Sequence, residues 1–120
     1  MTLSSQIRAG LGLAAFFLSV IFAVPVLASD PIQITSNPGE DFAPSISPDG
    51  SFMVYVSDTS GNLDLWLKYL GVGILPPDRR LTFHSTEDKN PAISPDGKKV
   101  AFVSHRGDPR GDIYVLDLQN

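Results

Sequence analysis

The chain has 120 residues and a formal net charge of −4, from 13 acidic and 9 basic side chains. Its length allows one domain, and its mildly acidic balance speaks against nucleic acid and anionic membrane surfaces as partners. It has no cysteine, so disulfides are excluded. That suits a bacterial periplasmic protein better than a small domain of a eukaryotic secretory route.

The first predicted element is a signal helix. Arg8 is the only charge before an apolar run from Leu11 to Val24, which Pro25-Val26-Leu27-Ala28-Ser29 closes. One cation, a short apolar stretch and small residues at the −3 and −1 positions make residues 1–28 a secretory leader cut after Ala28. The competing reading is an uncleaved anchor, since Leu11 to Ala28 is near the lower limit for a membrane-spanning helix. Pro25 and the Val26-Leu27-Ala28 end favour cleavage. The mature chain, 29–120, then keeps no stable membrane span and carries a net charge of −5, because only Arg8 is lost.

The next elements are short strands. Gln33–Thr35 is one candidate. Ala43–Ser47 and Phe52–Ser57 follow, joined by Ser47-Pro48-Asp49-Gly50. In that turn Pro presets φ, Ser bonds the backbone ahead and Gly accepts positive φ, which predicts a three-residue antiparallel hairpin. Phe52–Val56 is apolar at every position, as in a strand buried on both faces. Leu63–Lys68 alternates, with Leu63, Leu65 and Leu67 on one face and Asp64, Trp66 and Lys68 on the other. A Gly- and Pro-rich loop then leads to a fourth strand, Arg79–Phe83.

The same series then begins again. Thr35, Pro44-Ser45-Ile46-Ser47-Pro48-Asp49-Gly50 and Tyr55-Val56-Ser57 return 47 residues later as Thr82, Pro91-Ala92-Ile93-Ser94-Pro95-Asp96-Gly97 and Phe102-Val103-Ser104. Asp64-Leu65-Trp66 returns as Asp112-Ile113-Tyr114 at an offset of 48. A fixed period of this length means one supersecondary unit used repeatedly, and four short strands per period describe a β-propeller blade. The strands of the second unit are Ala92–Ser94, Val100–Ser104 and Ile113–Leu118.

These two in-register copies resemble the TolB-type, WD-like propeller repeat over roughly residues 32–118. The resemblance implies an all-β fold. It is a partial propeller of two four-stranded blades, about 43–83 and about 91–118, the second lacking its outer strand, after the signal helix. It also implies a periplasmic adaptor that binds protein, with an envelope lipoprotein among its partners. TolB itself carries an α/β domain between leader and propeller. Here the first repeat starts within ten residues of the expected cleavage site, so TolB proper is not expected. Because propellers have at least about 4 blades, the chain reads as a truncated product or a fragment; the alternative is a half-propeller completed by oligomerisation.

No catalytic, cofactor or metal site emerges. His84 and His105 occupy non-equivalent positions without ligand-like companions, as loop or strand-end histidines do. There is no Gly-x-Ser-x-Gly nucleophile elbow and no glycine-rich phosphate loop opening a helix. Asp58, Asp64, Asp108 and Asp112 lie at strand turns without calcium-loop spacing. The two Arg-Gly-Asp tripeptides, from Arg106 and from Arg110, read as ordinary turn sequence. Pro44, Ser47, Pro48, Asp49 and Gly50, with Pro91, Ser94, Pro95, Asp96 and Gly97, are the structural signature of the repeat.

The loops ahead of each inner strand are the candidate partner-binding surface: Glu40, Asp41 and Phe42, with Glu87, Asp88 and Lys89. In this fold they ring the mouth of the central channel, and the resemblance places the equivalent loop on the partner-binding face. Loops on a rigid scaffold commonly carry binding, and Phe42 is the apolar residue there that a partner could bury. The leading expectation is therefore a protein-binding module without catalysis of its own. The alternative is the N-terminal propeller piece of an exported prolyl-oligopeptidase-type hydrolase.

Overall fold

A computed structural model describes residue 23 and residues 28–119. The chain divides into two units, Met1–Ile32 and Gln33–Asn120. The described residues of the first form no helix or strand, and the expected leader lies almost wholly outside the described residues. Among the described residues no helix is long and apolar enough to cross a membrane.

The second unit is all β. Seven strands form two open antiparallel sheets: β1 (Asp41–Ile46), β2 (Phe52–Ser57), β3 (Asp64–Tyr69) and β4 (Arg79–Arg80) in one, and β5 (Asp88–Ile93), β6 (Lys99–Ser104) and β7 (Asp112–Asp117) in the other. Each sheet runs in simple sequence order, so each repeat is a meander, and the pair is a partial propeller. Gln33–Thr35 is not a strand, because it pairs with nothing. The fourth strand shrinks from Arg79–Phe83 to Arg79–Arg80, after which Thr82 leaves the ladder and its hydroxyl accepts the N–H of Leu65 at 3.0 Å.

The turn chemistry is the same in both repeats. Ser47 N–H donates to the Phe52 carbonyl and Gly50 N–H to the Ser47 carbonyl, each at 2.9 Å, and Ser94 and Gly97 repeat both bonds. Asp49 accepts from Ser47 Oγ at 2.7 Å and from the N–H of Ser51 at 3.0 Å. Ser51 thereby joins the turn, so the hairpin closes one residue wider than the three-residue connection that the sequence predicts. Gly50 and Gly97 have φ of 74° and 71°. A Cβ at Gly50 would meet nothing within 4 Å, so Gly50→Val carries only the conformational penalty of the left-handed region, about 1–2 kcal/mol. Urea unfolding of the variant measures that loss directly.

Hydrogen bonds from the backbone N–H of Ser51, then from the hydroxyls of Ser47 and Ser51, hold the Asp49 carboxyl down at about 2. The hydroxyl of Ser94 and the N–H of Lys98 lower Asp96 likewise. Because these folded-state values lie below the unfolded value of about 3.9, the turn contributes its stability fully above pH ~4 and loses it as pH falls toward ~2. A side-chain carboxyl titration by NMR is expected to place the Asp49 midpoint near 2, with the Ser51 amide shifting at the same pH.

The faces of the two sheets are not equivalent. In the first sheet Val54 faces Leu67 and Val56 faces Leu65, which puts all four on one side, here called the front. Met53, Tyr55, Trp66 and Lys68 share the rear. In the second sheet Val100 with Leu116 and Phe102 with Tyr114 lie on the rear, while Ala101, Val103, Ile113 and Val115 lie on the front. The core is built from the front of the first sheet and the rear of the second: Val54, Val56, Leu65, Leu67, Val100 and Phe102. Ser45 Oγ of the first sheet accepts the N–H of Ile93 at 3.1 Å across this junction. The blades therefore stack front on rear. Met53 to Ser57 are all buried, whereas Ala101 and Val103 in β6 are only half-buried. Among the described residues no blade lies against the front of the second sheet.

Both inner strands carry a bulge. Register shifts occur between Phe42 and Ser45 and between Lys89 and Ala92. At their centres Ala43 and Asn90, equivalent in the repeat, adopt φ of 50° and 54°. Positive φ in a residue other than glycine costs free energy that the surrounding ladder must offset.

Candidate functional site

Of the residues expected in the two acidic loops, only Glu40 and Glu87 lie ahead of the strands. Asp41 and Phe42 open β1 and Asp88 and Lys89 open β5, because they pair with β2 and β6. The bulges that follow decide which side chains reach the surface. Asp41 and Asp88, opposite Ser57 and Ser104, fall on the rear of their sheets. Asp88 is fully buried. Arg106 Nη2 donates to both of its carboxylate oxygens, at 3.1 and 2.9 Å, and Arg106 Nε donates to Ser104 Oγ at 2.8 Å. Asp41 is half-buried and accepts from Asn37 Nδ2 at 2.7 Å. The repeat position that holds Arg106 is Thr59 in the first blade, so among the described residues no arginine meets Asp41. Glu40, Phe42 and Glu87 are exposed, and half-buried Lys89 forms an ion pair with Glu87. Asp41 and Asp88 thus brace the loops from within, and the outward chemistry is two glutamates, a lysine and one phenyl ring.

The loops are tied down on several sides. In the first, Asn37 Oδ1 accepts from the N–H of Gly39 at 2.9 Å and from Thr59 Oγ1 at 3.0 Å, and Asp58 Oδ1 accepts from the N–H of Glu40 at 2.8 Å. Gly39 sits so close to this wall that a Cβ would lie 2.8 Å from Thr59 Oγ1. In the second, Asn62 Nδ2 donates to the carbonyls of His84 and Thr86, at 3.0 and 3.1 Å. The N–H of Asp88 bonds the Leu63 carbonyl at 2.9 Å. His84 Nδ1 lies 2.8 Å from Thr86 Oγ1, and the His105 N–H donates to the Glu87 carbonyl at 3.3 Å. Both histidines are loop-bracing groups.

The other carboxylates singled out in the sequence have separate tasks. Asp64 is fully buried against Arg80, 2.7 Å away; Asp108 pairs with exposed Arg110 at 2.9 Å; Asp112 is exposed. The arginines of both Arg-Gly-Asp tripeptides are engaged in ion pairs within the chain. Among the described residues no group of three His, Cys, Asp or Glu side chains could hold a metal ion. Sequence reasoning missed the Asp64–Arg80 and Asp88–Arg106 pairs. They are 16 and 18 residues apart and not repeat-equivalent, so the period gives no signal for them.

No family model matches the chain, and no curated protein matches it. Solved structures do, two TolB proteins among them. One, described as TolB from Agrobacterium tumefaciens, aligns with a TM-score of 0.58 at 27% identity over 70% of this chain and 32% of that one. The other, TolB from Acinetobacter baumannii, aligns with a TM-score of 0.55 at 26% identity over 64% of this chain and 18% of that one. The fold is that of a TolB-like propeller. The chain spans about a third of the first structure's length and under a fifth of the second's.

Proposed function

We propose that this chain is an exported, TolB-like propeller module that binds protein in the periplasm and performs no catalysis of its own. The observation that carries the reading is the pair of loops ahead of β1 and β5. Both stand at the same end of equivalent inner strands. Both are fixed by bonds to neighbouring turns, and with the start of β1 they offer exposed Glu40, Phe42 and Glu87 on a rigid frame. Such a surface loses little conformational freedom on binding, and an aromatic residue beside carboxylates suits a partner that presents an apolar pocket rimmed by basic groups. An envelope lipoprotein is the partner class that the TolB-like fold favours.

The test is site-specific photo-crosslinking in the living cell. A photoreactive residue at position 42 or 87 is expected to give one discrete protein adduct. The same residue at Lys98, on the Ser-Pro-Asp-Gly end of the blade, is expected to give none. Adducts from all three positions alike, or from Lys98 alone, would count against this face as the binding surface.

A further inference from the structure

The turn between β2 and β3 touches both loops of the candidate surface, and it does so at the backbone of the two glutamates. Asp58 holds Glu40. Its Oδ1 accepts the Glu40 N–H at 2.8 Å, and its own N–H donates to the Glu40 carbonyl at 3.3 Å. Asn62 and Leu63 hold Glu87 through the peptide groups on either side of it. Asn62 Nδ2 donates to the Thr86 carbonyl at 3.1 Å, and the Leu63 carbonyl accepts the Asp88 N–H at 2.9 Å. Asn62 Nδ2 also donates to the His84 carbonyl at 3.0 Å, so the two shorter bonds of its amide go to the second loop, against 3.4 Å to Asp64 Oδ1. The backbone of Glu87 is thereby placed by the first blade, although Glu87 belongs to the second. The turn is itself braced: the Gly61 N–H donates to the Asp58 carbonyl at 2.7 Å, and Ser60 Oγ donates to fully buried Asp64 at 2.6 Å.

We propose that this turn is the spacer of the binding surface: Asp58 and Asn62 are positioning residues that fix the separation of the Glu40 and Glu87 carboxylates, and the partner is a protein surface with two basic groups set to that separation. On the protein-binding reading above, on which this assignment rests, fixed spacing is what turns two exposed charges into a selective surface. A partner whose basic groups match the spacing meets both carboxylates at little cost in ordering. A partner with one basic group, or with two at another spacing, leaves a glutamate unanswered, and that mismatch discriminates against it. Glu87 already pairs with Lys89, but the two side chains are 48% and 32% exposed. A pair so open to water contributes little, so a partner's cation can take the carboxylate and leave Lys89 solvated.

Amide hydrogen exchange tests the positioning without a partner. Asn62→Ala is expected to speed exchange at Thr86 and Asp88 by about tenfold, as the loss of two hydrogen bonds implies, and to leave Glu40 and Gly97 unchanged. Asp58→Ala is expected to speed Glu40 and to leave Asp88 and Gly97 unchanged. Asp58→Asn keeps an accepting oxygen and is expected to restore slow exchange at Glu40. Equal acceleration at Gly97 would mean a general loss of stability, and no acceleration at Asp88 would mean that Asn62 places nothing; either result overturns the assignment. Photo-crosslinking from position 42 in the living cell then reads the partner. Asn62→Ala and Asp58→Ala keep both glutamates, yet each is expected to cut the adduct severalfold, as Glu40→Gln and Glu87→Gln do. An adduct undiminished by Asn62→Ala would overturn the spacing requirement and leave the binding reading standing. No adduct from position 42 or 87 in the parent chain would remove the binding reading, and the spacer with it.

Discussion

Arg106→Ala is expected to cost the fold about 3 kcal/mol. The Asp88 carboxylate is fully buried, and Arg106 donates to both its oxygens. Removing the guanidinium leaves a buried charge with no counter-ion, and losses of about 3–5 kcal/mol follow such deletions. The arginine side chain is 29% exposed, so water can partly replace it, which puts the expected loss at the lower end. Arg106 also lies 5.0 Å from the centre of the Tyr114 ring and binds Ser104, so one side chain joins the start of β5 to β6 and β7. Against a total stability of about 5–15 kcal/mol, the loss leaves the second blade marginal. Arg106→Lys keeps the charge but not the two-pronged geometry and is expected to recover only part of it. Urea unfolding at one fixed protein concentration measures all of this, and a loss below about 1 kcal/mol for the alanine variant would mean that the pair does not hold the blade.

Leu65→Ala is expected to cost a similar amount, about 3 kcal/mol. Leu65 is fully buried on the front of the first sheet, in the cluster with Val54, Val56, Val100 and Phe102. Truncation removes apolar burial and leaves a cavity between two sheets, each held in register by its own ladder, so the gap cannot readily collapse. The same substitution at the repeat counterpart is the internal control. Ile113 is 70% exposed, and Ile113→Ala is expected to change the unfolding free energy of the single chain by no more than about 0.5 kcal/mol. Equal losses at the two positions would contradict front-on-rear stacking.

The contrast between Leu65 and Ile113 also shows what the sequence conveys. The repeat, the turns at Ser47–Gly50 and Ser94–Gly97, and the unbroken apolar run of β2 are local signals, and each specifies a strand or turn by its own chemistry. Which face of a blade is covered is not local, since Leu65 and Ile113 read alike. The bulges at Ala43 and Asn90 were hidden for another reason. Alanine gives no hint of positive φ, and the following prolines, Pro44 and Pro91, disfavour the right-handed helical region without announcing a left-handed residue. Those bulges turn Asp41 and Asp88 inward, so a loop that reads as one acidic patch divides into bracing carboxylates and the exposed Glu40, Phe42 and Glu87. Gln33–Thr35 matches the repeat in sequence, yet a strand needs an edge to bond to and among the described residues no strand pairs with it.

The central claim is that residues 33–119 form two consecutive propeller blades packed front on rear. Methyl–aromatic NOE measurements test it most directly. The expected result is cross-peaks from the methyl groups of Val54 and Leu65 to Val100 and to the ring of Phe102, with none between Phe102 and Met53, since those two lie on the like rear faces of the two sheets. Cross-peaks between Met53 and Phe102, or no contact between the two sheets, would contradict it.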